Sequence, residues 1–257
     1  MATYRTGPAA GPAPRREAGL PLHAQLYLIG HDDDTGRAHL REPCLAAGLA
    51  GALLLELVFA RHVVIGWVWD GFHQRWQPRP GCLGILQPAP AGSPLLDAAL
   101  ATTHRVIHAD PDGGHLRTWV QSFAAADCYP RVRAAMITAG LVRTVRRRRY
   151  AGLITTDTHQ IVDTAYTTRA RTYVRDAVAC LEPGPYQPPT PPTDTTVALC
   201  GLITALGLTE YLYRNQTNRD LDRWLRLVVN RHHHPAITTM IHTVDAVRGD
   251  LAVAAMA

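Results

Sequence analysis

The chain is predicted to fold as a mainly α-helical domain carrying a small β-hairpin. Three observations predict this. Residues 45–59 are apolar nearly all round, which is how a helix at the centre of a bundle looks. Most of the remaining segments carry helix starts and stops at helical lengths, whereas residues 141–162 run strand, arginines, strand. The 257 residues, 47% of them hydrophobic, are enough for one large helical domain or two small ones with a real core.

Residues 1–19 carry Gly, Pro and Arg but no apolar stretch, so they read as a flexible tail and not as a secretory signal; the folded part is expected over residues 20–257. Residues 20–29 read as a short helix ending at Gly30. After the acidic turn Asp32-Asp33-Asp34-Thr35-Gly36-Arg37, Pro43 stands where the first turn of a long helix tolerates it, and that helix is expected to reach Ala60. Gly48 and Gly51 would let neighbouring helices approach it closely. Residues 63–69 and 81–86 suit a short strand pair around a Pro-rich turn. Trp67, Trp69 and Trp76 cluster there, as packing or as an interfacial belt, with packing the preferred reading.

Ser93-Pro94 supplies a cap and a first-turn proline for a helix over 94–108, with Asp97 placed to favour its dipole. Two helices follow over 115–125 and 131–138, divided near Pro130 and stopped by Gly140. The hairpin over 141–162 carries Arg146, Arg147, Arg148 and Arg149 as a basic arm. Helix returns over 168–181, and the Pro-rich stretch 182–193 reads as a connector. Helices over 194–207, 218–230 and 236–254 complete the chain. No internal repeat is visible.

The formal charge is +5, the isoelectric point is near 9.1, and every one of the 26 basic residues is arginine, a bias that a GC-rich genome explains. Such a surface attracts anions, whether acidic lipids, nucleic acid or phosphorylated metabolites. Five cysteines with no C-x-x-C pair point to neither a zinc site nor a disulfide framework, and they fit a reducing cytosol. The apolar runs 45–59 and 197–208 are shorter than the roughly 18 to 20 residues a bilayer span needs, so membrane contact is expected to be peripheral. His232-His233-His234 before Pro235 reads as a helix-terminal loop, because adjacent histidines cannot all face one metal from a regular helix. There is no G-x-S-x-G elbow, phosphate loop or H-E-x-x-H pair.

The order of these motifs resembles the Golgi phosphoprotein 3 family. The likeness is carried by the apolar opening with its acidic turn, by Gly48-Leu49-Ala50-Gly51-Ala52-Leu53-Leu54-Leu55-Glu56-Leu57, by residues 89–100, and by Gly140-Leu141-Val142. It implies a helical bundle with surrounding amphipathic helices and a hairpin that supports self-association and membrane contact. It also implies a phosphoinositide pocket built from a Trp, an Arg and a later pair of Arg. Transferred to this chain, the Trp place falls on Arg41, the first Arg place on Ala50, and the paired places near Ala126 and Tyr129. The pocket is not preserved as written, and Arg41, Arg131 and Arg133 are the nearby guanidinium groups left to meet an anionic headgroup.

The expectation is therefore a cytosolic, peripheral membrane-binding protein without catalysis or cofactor. It docks through Arg41, Arg131, Arg133 and Arg146, Arg147, Arg148 and Arg149, and anchors by Tyr150, Leu153 and Ile154. Its partners would be an acidic phospholipid surface and a second copy met through the hairpin; nothing resembles a nucleic-acid-binding motif. The alternative is an enzyme in which Asp32, Asp33 and Asp34 hold Mg²⁺ against a prenyl diphosphate. A second metal motif should then stand on a later helix, where Asn218 and Asp222 supply only part of one.

Overall fold

The computed structural model describes residues 19–110, 114–149, 154–181, 190–213 and 219–256. The tail 1–18 and residues 182–189 of the Pro-rich connector lie outside them. The first helix, α1 (Leu22–Ile29), is buried along its whole length. Pro21 begins it without a side-chain cap, and the partner comes from the next helix: Glu56 accepts from the His23 backbone N–H at 2.8 Å and from His23 Nδ1 at 2.9 Å. The carboxylate inside the apolar run thus sits at the positive end of its neighbour.

That neighbour, α2 (Glu42–Phe59), runs through the core and ends at Ala60. It reaches the length and hydropathy of a membrane span, longer than the sequence reading allowed, yet 67% of it is buried inside the protein. Its glycines explain how closely it is packed. A Cβ on Gly48 would come within 2.4 Å of Leu206 in α7 (Asp194–Leu206), and one on Gly51 within 2.8 Å of Val244 in α10 (Pro235–Ala254). Side chains on α1, α2, α7 and α10 belong to one continuous hydrophobic core.

Strands β1 (Val63–Asp70) and β2 (Arg75–Ile85) pair antiparallel. The Pro-rich turn expected here is not a turn: Pro78 and Pro80 lie within β2, and residues 71–74 make the reversal. The ladder breaks between Ile65 and Trp67, where Gly66 and Gly81 both have positive φ, and prolines are tolerated at such a break because the pairing is already interrupted.

In α3 (Pro94–Ala109), Ser93 occupies the cap position without bonding through its side chain. Asp97 in the first turn accepts from the Ala91 N–H at 2.7 Å, tying the preceding loop to the helix. Helix α4 (Leu116–Phe123) buries Leu116, Trp119, Val120 and Phe123, one apolar stripe at helical spacing. It passes through a π-helical segment (Ala124–Cys128) into α5 (Tyr129–Thr138), with Pro130 in the first turn. Within the joint, Ala126 and Asp127 leave helical geometry, and Asp127 has φ 60°.

Gly140, at φ 72°, turns the chain into β3 (Val142–Arg149), which pairs antiparallel with β4 (Ile154–Ile161) from Val142↔Ile161 to Arg149↔Ile154. Helix α6 (Thr164–Ala179) begins four residues earlier than its β-branched start predicts, because Asp163 caps it by accepting from the Ala165 N–H at 2.8 Å. After α7, Gly207 reverses the chain at φ 72°. The short α8 (Thr209–Leu212), which the sequence reading does not contain, precedes α9 (Arg219–His232) and α10. The fold is mainly α-helical, as predicted, with two separate two-stranded sheets among the described residues.

Candidate functional site

The basic arm is a strand of eight residues, five of them arginine: Arg143, Arg146, Arg147, Arg148 and Arg149. Its partner strand offers one carboxylate, Asp157, opposite Arg146. Arg143 and Arg146 are exposed. The side chains of Arg147, Arg148, Arg149 and Ile154 lie outside the described residues, as do Tyr150 and Leu153 entirely.

The hairpin rests on the acidic turn. Gly36, at φ 65°, packs so tightly on β4 that a Cβ there would stand 1.6 Å from the His159 carbonyl oxygen. Two of the triplet's carboxylates are engaged within the fold. Asp32 Oδ1 accepts from the Asp34 N–H at 3.2 Å, the Thr35 N–H at 2.8 Å and the Thr35 hydroxyl at 2.8 Å, an Asx turn. Asp33 pairs with Arg171 of α6 at 2.5 Å, both largely buried. Among the described residues no group of three or more His, Cys, Asp and Glu is placed to hold a metal ion. Asp222 receives Arg226 at 2.9 Å, and Asn218 lies outside the described residues.

The histidine run closes a helix end, as expected. His232 ends α9 and bonds Asp194 at 2.6 Å, His233 turns the chain at φ 51°, and His234 begins α10. The tryptophans differ in exposure. Trp76 packs on Gly84 and edge-on against Trp69, 5.7 Å between ring centres, whereas Trp69 itself is 45% exposed.

A cavity of about 520 Å³ opens between the start of α2, the π-helical joint and the end of α10. Pro43, Ala46, Ala124, Ala125 and Leu251 make its walls apolar, and Glu42, Asp127 and Asp250 line it with carboxylates. Asp250 is paired with Arg117 and accepts from Gln121 at 3.3 Å. The predicted headgroup residues border this cavity without lining it. Arg41 is exposed at the N-cap of α2, next to Glu42; Arg131 is exposed, next to Pro130. Arg133 is half-buried, its guanidinium 5.4 Å from the centre of the Tyr129 ring. A phosphate in this cavity would face carboxylates, so the walls do not suit an anionic headgroup.

Beneath Tyr129 lies a group that no sequence signal marks. His31, 2% exposed, stacks on Tyr27 with ring centres 4.0 Å apart. Its Nδ1 lies 2.6 Å from the Tyr27 carbonyl, which can only accept, so the proton sits on Nδ1. Its Nε2 then accepts from the Tyr129 hydroxyl at 2.8 Å. Burial, reinforced by Arg133, His39 and His159, lowers the imidazole pKa to about 4. Burial likewise pushes the Tyr129 phenol upward, partly offset by Arg133.

These features define a class of protein: a helical domain around a buried apolar core helix, bearing an arginine-lined hairpin after the α5 turn. The sequence profile of the Golgi phosphoprotein 3 (GPP34) family matches residues 22–247, from the first residue of α1 into α10, and the chain belongs to that family. Comparison with individual curated proteins gave no match.

Proposed function

We propose that this protein is a peripheral membrane-binding protein that docks on acidic lipid headgroups through the β3–β4 hairpin, as a binder and not a catalyst. The observation that carries this reading is the concentration of five arginines on the eight residues of β3 against a single carboxylate on β4. Basic residues beside an acidic bilayer gain about 1 kcal/mol each, so Arg146, Arg147, Arg148 and Arg149 supply about 4 kcal/mol between them. Arg41 and Arg131, exposed on the helical body, add to the attraction wherever the docked orientation brings them near the surface. Apolar residues of the hairpin tip, Tyr150, Leu153 and Ile154, would then enter the interface.

The recognition is electrostatic and carries no headgroup stereospecificity, because the cavity beside α2 and α5 is lined by Glu42, Asp127 and Asp250 instead of arginines. Cytoplasmic residence at a membrane surface and self-association through the hairpin edges belong to the same reading.

Co-sedimentation with phosphatidylglycerol-containing and with pure phosphatidylcholine vesicles tests it. The protein should pellet with the first and stay in solution with the second. Raising the salt from about 0.1 M to about 1 M shortens the screening length from about 10 Å to about 3 Å and should release it. Replacing Arg146, Arg147, Arg148 and Arg149 by Ser should weaken binding on the order of a thousandfold, the equivalent of about 4 kcal/mol. Equal recovery on neutral vesicles, or no recovery on acidic ones, sinks the proposal.

A further inference from the structure

We infer that the tip of the other hairpin, β1–β2, is a second lipid contact, an aromatic anchor that inserts at the interface of an anionic bilayer. The inference rests on the membrane-docking reading above and adds a surface to it.

The hairpin is built in two parts. Its base pairs Val63↔Ile85, Val64↔Gly84 and Ile65↔Leu83; beyond the break, the outer ladder pairs Trp67↔Pro78, Val68↔Gln77, Trp69↔Trp76 and Asp70↔Arg75. Directly opposed residues share a face and neighbours alternate. One face of the outer ladder is therefore Trp67, Trp69, Trp76 and Pro78, with no polar side chain but the indole N–H groups. Pro78 and Trp69 on it are exposed. Trp76 covers Gly84 of the base and is half-buried, Trp69 is 45% exposed, and Phe72 in the turn is 90% exposed.

The turn that presents Phe72 is held from within. Asp70 accepts from the Phe72 N–H at 2.9 Å, the His73 N–H at 3.0 Å and His73 Nδ1 at 2.6 Å, and it also bonds the Gln77 side chain. Gln74 Nε2 donates to the Gly71 carbonyl at 2.6 Å. The tip's carboxylate is thus occupied by four donors; Arg75 stands opposite it and Arg79 follows Pro78 at the inner end of the ladder, both exposed. A preordered turn offering a large apolar ring costs little conformational entropy when it inserts. Indole rings favour the headgroup level, where the ring is shielded and the N–H stays wet. Two guanidinium groups behind the rings complement phosphate, and that charge selects an acidic lipid surface as the occupant.

The test uses the full chain and phosphatidylglycerol-containing vesicles whose acyl chains carry bromine, which quenches tryptophan at short range. Wild-type fluorescence should be quenched, Trp69→Phe should lose most of the quenching while still pelleting, and Phe72→Ser should bind roughly tenfold more weakly, the scale set by one aromatic side chain leaving an apolar setting. Unchanged circular dichroism of both variants keeps the comparison fair. If wild type does not pellet at all, the docking reading fails and this contact with it. If it pellets without quenching, or Phe72→Ser binds as wild type does, the aromatic anchor is wrong and docking through β3–β4 stands. Concentration-dependent dimers that Phe72→Ser abolishes, without quenching, would assign the tip to a second copy of the chain and equally overturn the inference.

Discussion

The Tyr129 hydroxyl donates to His31 Nε2 at 2.8 Å, joining the second residue after α1 to the first residue of α5 across 98 positions of sequence. Both groups are buried, and the other imidazole nitrogen is committed to the Tyr27 carbonyl. The bond therefore locks one tautomer and ties the helix that leads into the basic hairpin to the helical core.

Tyr129→Phe keeps the ring and removes only the donor. His31 Nε2 is then left buried without a partner, which costs about 1–3 kcal/mol. Urea unfolding should show a lower midpoint at unchanged slope. A double-mutant cycle with His31→Leu should give a coupling energy of the same sign, and additive losses would show that the bond contributes nothing.

The same histidine makes stability pH-dependent. In the unfolded chain its imidazole protonates near 6.5, in the fold only near 4. Between those values the unfolded chain binds more protons, so the stabilisation is complete above about pH 6.5 and is lost as the pH falls towards 4. The span corresponds to about 3 kcal/mol. Unfolding free energies measured across this range should fall for wild type and stay flatter for His31→Gln.

Gly36→Val should unseat the hairpin. The new Cβ would collide with the His159 carbonyl, and a β-branched residue resists φ 65°. A cost of at least about 2 kcal/mol is expected, concentrated locally. Amide exchange should rise in β3 and β4 before it rises in α2, and vesicle binding should fall with it. Protection unchanged in the hairpin would mean that the acidic turn does not support it.

Thiol chemistry reports the core directly. Cys82, Cys128 and Cys200 are buried, and burial pushes the last two up to about 12. Cys180 is exposed. A disulfide reagent at mildly alkaline pH should label Cys180 first in the native protein, and the buried three only on unfolding, since the thiolate is the reacting form. Rapid native labelling of Cys200 would contradict the packing of α7.

Several elements were legible because their causes are local. Pro43 opening an apolar run, Gly140 and Gly207 at left-handed turns, and the alternation of arginine strand and β-branched strand each act over a few residues. The likeness that named the family also lay in contiguous words of sequence, and the profile match bears it out. The Pro-rich turn differs from the structure because it depends on a broken ladder that tolerates Pro78 and Pro80 inside a strand.

What the sequence by itself determined is the helical class, the buried core helix and the basic strand, since hydrophobic periodicity and breaker residues act through neighbours in the chain. What only the tertiary structure decided is the meeting of distant groups. Asp33 faces Arg171, Gly36 lies on His159, His31 lies under Tyr129, and three carboxylates from separate segments line one cavity. These contacts depend on how helices cross and how closely glycines let them approach, a matter of side-chain packing in three dimensions that no local pattern encodes.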